Sequence, residues 1–189
     1  MEKRAAQNKY HAVLAIVIGF SGSCFTYVLA QLIPSYEITL FLEKFSVGLY
    51  LFASTVQGLS LTEEKKTMPA AGFTMMAIAQ GVIFTTYFEP NNLEGNTQSY
   101  ELFDGGLLLF FPAMILISFY HQFPIWVKTL GIISCVPFLI DYIIFEQTKH
   151  YTPVLDTVYM VAQIMLETTA VIWSIFIWKN YKRESELPD

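Results

Sequence analysis

Residues 153–178 read PVLDTVYMVAQIMLETTAVIWSIFIW. A helix needs ~20 mostly apolar residues to cross ~30 Å of hydrocarbon. This stretch exceeds that length with Asp156 and Glu167 as its only charges. It therefore reads as a membrane span, with one carboxyl about four turns from either end. Working outward, further apolar stretches occupy about 12–33, 38–60, 69–88, 102–121 and 124–146. They are too long and too continuously apolar for barrel strands, which alternate in period two over ~10 residues. The predicted fold is all-α: a polytopic six-transmembrane-helix bundle in which 1–189 form one transmembrane domain.

Composition agrees. Only 14% of the 189 residues are charged, against ~25% in a soluble domain, and the mean hydropathy is +0.45. A formal net charge of −5 argues against nucleic acid as a partner, since phosphate recognition needs a basic face. Cys24 and Cys135 fall inside apolar runs and read as small packing residues. No Cys/His cluster is spaced to hold a metal, and no cofactor is expected. No GxSxG and no Ser/His/Asp set lies at one depth, so nothing positive points to an enzyme.

Lys and Arg set the orientation, because they collect on the cytoplasmic side. With the N-terminus inside, that side carries Lys3, Arg4, Lys9, Lys65, Lys66, Lys128, Lys179, Lys182 and Arg183. The outer connectors carry only Lys149, and Lys44 lies within the second span. Both termini are thus expected inside. Tyr36, Tyr87, Tyr100 and Tyr151 would form an outer aromatic belt, and Tyr10, Tyr120, Trp126, Trp178 and Tyr181 an inner one. Residues 3–30 imitate a signal peptide ending in Val28-Leu29-Ala30, but the segment is read here as the first span. His11 and His121 fall at the inner ends of spans and His150 in an outer loop, so one metal cannot collect all three.

Small residues at four-residue spacing predict close helix contacts: Ala15, Gly19 and Ser23 in the first span, and Ala77, Gly81 and Thr85 in the third. Pro112 and Pro137 are expected to kink their helices. The charged tail 179–189 is expected to be disordered at its end.

Ionisable groups within spans usually face the bundle interior. Glu43, Ser46, Tyr50, Ser54 and Gln57 fall within about 60° of one another on the second helix. Asp156, Tyr159, Gln163 and Glu167 form a similar stripe on the last helix, with Asp141 contributed by the fifth span. The orientation puts Glu43, Lys44, Asp104, Asp141 and Asp156 in the outer third, with Glu167 near mid-depth. The expectation is an acidic cavity open to the outer side, with Glu43, Tyr50, Gln57, Asp141, Asp156, Tyr159, Gln163 and Glu167 as ligand-binding residues. Two plainer readings stand beside it. Asp104 and Asp156 suit helix N-termini as caps. Glu167 could be held structurally by Gln80, Gln57 or a carbonyl freed at a proline.

Leu102-Phe103-Asp104-Gly105-Gly106, Gln163-Ile164-Met165-Leu166-Glu167 and the basic tail from Lys179 to Arg183 resemble the damage-regulated autophagy modulator family of six-span proteins. The resemblance covers the third to sixth spans and implies membrane homeostasis or lipid handling without catalysis. Three functions follow as expectations: binding of a lipid or small amphipathic ligand, proton- or cation-coupled transport, or a non-catalytic place in a membrane complex. Membrane lipids are the expected partners, with a homodimer or another membrane protein as further options. The plasma membrane or a bacterial inner membrane is the expected location, and an organelle membrane the alternative.

Overall fold

The computed structural model describes residues 2–86, 97–148 and 153–185. Tyr87, Glu89, Glu94, Lys149, His150 and Tyr151 lie outside the described residues, as do the side chains of Tyr100, Glu101, Asp104 and Asp156. Every described element is a helix: α1 (Glu2–Leu32), α2 (Tyr36–Glu63), α3 (Thr67–Thr86), α4 (Thr97–Ser118), α5 (Ile125–Ser134), α6 (Val136–Thr148) and α7 (Pro153–Ser185). Five rods are long and apolar enough to cross a membrane: Gln7–Leu32, Tyr36–Glu63, Thr67–Thr86, Thr157–Ser185, and Ile125–Thr148 formed by α5 and α6 together. Within α4 the apolar segment Gly105–Ser118 is shorter.

The connections follow from local chemistry. Pro34 cannot continue α1, and the Thr39 hydroxyl lies within reach of the carbonyls of Ala30 (3.2 Å) and Ile33 (3.0 Å) at its open end. After α2 the Lys66 N–H donates back to the Leu61 carbonyl at 2.9 Å, while Lys65 takes φ 60°. That is the left-handed residue of a helix-ending turn. The two mid-span prolines behave differently. The backbone of α4 stays helical through Pro112. The fifth rod breaks at Cys135, two residues before Pro137, whose ring has no N–H to continue the ladder.

The helices form a closed ring: α1 on α2, α2 on α3, α3 on α4, α4 on α5 and α6, and α7 against α5, α6 and α1. Rings fill its centre. Phe20 meets Tyr50 edge-on at 5.0 Å, Phe73 meets Trp173 at 5.6 Å, and Phe110 lies 4.8 Å from Phe138. The polarity is inverted relative to a water-soluble bundle. Large apolar side chains are exposed on all seven helices, among them Phe25, Phe52, Ile78, Phe111, Ile133, Ile143 and Ile175. Ser23, Ser46, Gln57, Gln80, Asp141, Gln163 and Glu167 are buried. An apolar exterior around a polar interior fits a lipid surrounding.

The tightest approaches use glycine. A Cβ on Gly72 would sit 2.8 Å from the Ala113 carbonyl oxygen and 2.8 Å from the Ile117 nitrogen. On Gly106 it would lie 3.2 Å from the Ala79 carbonyl oxygen, and on Gly19 2.7 Å from Ala53 Cβ. Of the two ridges expected from spacing, that of Gly19 is a close contact. Gly81 has only ordinary contact, 3.5 Å to Leu51. The α3–α4 seam uses Gly72 and Gly106 instead. Gly72→Ala is therefore expected to cost about 1–3 kcal/mol by forcing backbones apart. Gly105→Ala, with open space around it, should leave thermal unfolding in detergent unchanged. Equal melting temperatures for the two variants would contradict this packing.

Candidate functional site

Gly19 and Gly22 bring α1 close to α2: a Cβ on Gly22 would lie 3.1 Å from a Leu49 methyl. That approach lets Ser23 and Ser46 bridge the two helices. The Ser46 hydroxyl donates to the Ser23 carbonyl at 2.9 Å, and the Ser23 hydroxyl donates to Glu167 Oε1 at 2.8 Å. Ser23 Oγ also lies 3.0 Å from the Ser46 carbonyl. One hydroxyl has one proton, so Ser23 serves one acceptor at a time. Gln163, one turn before Glu167 on α7, donates its Nε2 proton to Oε1 at 3.2 Å, and Ser46 Oγ stands 3.4 Å from it. Three helices thus converge on one carboxyl oxygen.

Glu167 is 1% exposed, and its other oxygen, Oε2, is buried without a hydrogen-bond partner. Lys9 and Lys66 form their ion pairs with Glu64 and Glu184, away from Glu167. Closing an unpaired charge into such a core costs several kcal/mol. Tyr50 lies within electrostatic reach of Glu167. Its hydroxyl, Ser54 Oγ and both amide atoms of Gln80 are also buried without partners.

The expected ligand set is only partly gathered. Gln163 and Glu167 touch, and Tyr50 is nearby. Asp141 is buried on α6, but no described hydrogen bond joins it to this cluster. Glu43 is half-buried and accepts a bond from Gln31 at 3.2 Å, facing α1. The Tyr159 ring packs on Phe103 at 5.1 Å. Asp156 has no described side chain. Gln57 belongs to the other end of the bundle. Tyr50, Asp141, Gln163 and Glu167 are each at most 4% exposed, while Asp104 and Asp156, placed beside the expected outward-open acidic cavity, have no described side chains. Glu167 is held by Ser23, Ser46 and Gln163, not by Gln80, Gln57 or a carbonyl freed at a proline.

A cavity of about 30 Å³ lies at the end where α1 begins and α7 finishes, lined by Lys9, Gln57, Glu64, Gln122, Asn180 and Glu184 among others. Lys9 bridges Glu64 and Glu184 at 2.8 Å each. Lys66 pairs with Glu64 at 2.6 Å and lies 5.1 Å from the centre of the Tyr120 ring. Gln122 donates to Glu184 at 3.1 Å and takes a hydrogen bond from the Tyr120 hydroxyl. The sequence reading missed this network and treated Ser23 as packing alone. The available signal was weak: α1 and α7 have 31 and 33 residues, about 46 and 50 Å, so both outrun a bilayer and their ends can meet.

Among the described residues no group of three His, Cys, Asp or Glu converges as metal ligands would. Comparison with protein-family models, curated proteins and solved structures found no match for the chain.

Replacing Glu167 by Ala should destabilise the protein by about 2–4 kcal/mol, since the Ser23 and Gln163 donors lose their acceptor. Glu167→Gln keeps an accepting oxygen and should cost less than about 1 kcal/mol. Denaturation in micelles would read the two, and equal losses would contradict the clamp. At the Lys9 end, burial raises the affinity of Glu64 for its proton. Hydrogen bonds from Lys66 and Lys9 outweigh that and hold the carboxyl below the usual carboxylate range. Its stabilising contribution is therefore full above the unfolded value of ~4.3 and lost as pH falls through the lower folded value. The drop in melting temperature below pH ~4 should shrink in Glu64→Gln; an unchanged acid profile would remove Glu64 from the network's titration.

Proposed function

We propose that the chain is a six-span membrane protein with both termini on the cytoplasmic side, and that it carries protons or small cations through the Glu167 core. The observation that supports this most is a fully buried carboxyl that accepts hydrogen bonds on one oxygen from α1 and α7, with Ser46 of α2 at 3.4 Å, and is unpartnered on the other. Cost of charge and closure of the bundle are coupled there. Taking up a proton or a small cation at Oε2 favours the closed packing, and losing it favours an opening of α1 and α2 away from α7. That is a two-state element biased by a ligand. The meeting of Lys9 with Glu184 supports an even number of crossings, because it puts the two chain ends on one side. The basic residues collected at that end support its being cytoplasmic.

The test is flux. Purified protein in liposomes with an entrapped pH dye should dissipate an imposed pH gradient, alone or in exchange for sodium or methylammonium. Glu167→Gln should slow this roughly tenfold or more. Gradient decay at the rate of protein-free liposomes, or decay indifferent to Glu167→Gln, would overturn the reading. If instead native mass spectrometry finds a retained lipid whose thermal shift is lost in Glu167→Gln, the lipid-handling role implied by the family resemblance is the better account.

A further inference from the structure

The buried polar face of α2 does not stop at Ser46. Tyr50 and Ser54 follow it at four-residue steps, each 0% exposed, and each hydroxyl oxygen is without a hydrogen-bond partner. Gln57 comes next. It is 3% exposed and lines the cavity at the Lys9 end. From Ser46, which touches Glu167, to Gln57 the face runs about 16 Å along the helix axis. Buried polar atoms without partners are uncommon and usually carry water or a ligand. Here they lie on one line, with a carboxyl at one end and a cavity at the other.

We infer that Glu167 is reached from the Lys9 end of the bundle, through the cavity beside Gln57 and along the Tyr50–Ser54 face of α2. This rests on the proposed role of Glu167 and names its side of access, opposite to the outer mouth expected from the sequence. Steps of about 6 Å between rungs are lengths that single waters bridge. Each hydroxyl both accepts and donates. A proton entering at Gln57 is passed from water to Ser54, which releases its own proton to the next water. Repeating the exchange at Tyr50 delivers one proton to the Glu167 carboxylate, each hydroxyl and water having gained one O–H bond and lost another. The Glu64–Lys9–Glu184 bridge stands at the mouth with Lys66 also on Glu64, two carboxylates to two ammonium groups. Water and protons suit such a charge-balanced, partly exposed entrance.

The experiment is sided cysteine labelling in sealed vesicles, in a Cys24→Ser, Cys135→Ser background. The reagent is a small, membrane-impermeant cationic thiosulfonate. Arg183→Cys, exposed near the end of α7, marks the Lys9 side whatever the orientation. Ser54→Cys should react roughly tenfold or more faster from that side than from the other. Ser134→Cys, as deeply buried but replacing a hydroxyl 2.7 Å from Thr169, should react from neither. Should Ser54→Cys fail to fold, Gln57→Cys and Ser46→Cys bracket the same path, with labelling from the marked side expected at both. Equal rates from both sides, no reaction in a folded variant, or equal reaction of Ser134→Cys would overturn the path. Labelling reads access alone. One-sided labelling without Glu167-dependent flux would defeat the transport reading and leave the path, while flux with two-sided labelling would do the reverse.

Discussion

A carboxyl enclosed by apolar helices has to be hydrogen-bonded or the bundle opens, and the rest of this structure depends on how that demand is met. Glu167 is satisfied on one oxygen by donors from its own helix and from α1, with Ser46 of α2 bracing the α1 donor. Those donors are in place only because Gly19 and Gly22 allow α1 and α2 to close on each other. In hydrocarbon, helix association draws on close packing and hydrogen bonds, since lipid tails are as apolar as leucine. The Ser23–Ser46–Glu167 junction uses both at one place. It fastens the first two helices to the last, which is the closure of the ring.

The two ends of the bundle differ in what holds them. At the Lys9 end the contacts are ionic and partly wet. Lys9 is 39% exposed, and an exposed pair contributes ~0–1 kcal/mol. The network there serves registration more than stability. It sets the start of α1, the α2–α3 turn, the α4–α5 connection and the end of α7 at one level. Toward the centre the contacts are aromatic: Phe20, Tyr50, Phe73 and Trp173 pack together there, so the route to Glu167 passes beside these rings along α2.

The helices were legible in the sequence because hydrocarbon demands long apolar runs. The stretch 153–178 was read as a span and lies within α7, and 124–146 was read with the proline that breaks it at Cys135. Glu167 could be singled out as well, since its depth needs no tertiary information. Its partners could not. Ser23 carries the same signal whether it packs or donates, and only the rotation of α1 about its axis decides. The stripe on α2 was correctly seen as one face, yet a stripe does not say whether it lines an open cavity or a closed seam. Asp141 shows the limit from the other side: it is also a carboxyl within a span, yet no described bond joins it to Glu167. Gly72 and Gly106 were similarly hidden, because contact across α3 and α4 depends on helix rotation and not on spacing within one helix.

The central claim is that Ser23 and Glu167 hold one another across the ring. A double-mutant cycle on unfolding free energy in micelles, with Ser23→Ala and Glu167→Leu singly and together, measures that directly. A coupling of about 1–3 kcal/mol is expected for a buried hydrogen bond to a carboxyl. Additivity within about 0.5 kcal/mol would mean the two side chains act independently, and the account of how this bundle closes would be wrong.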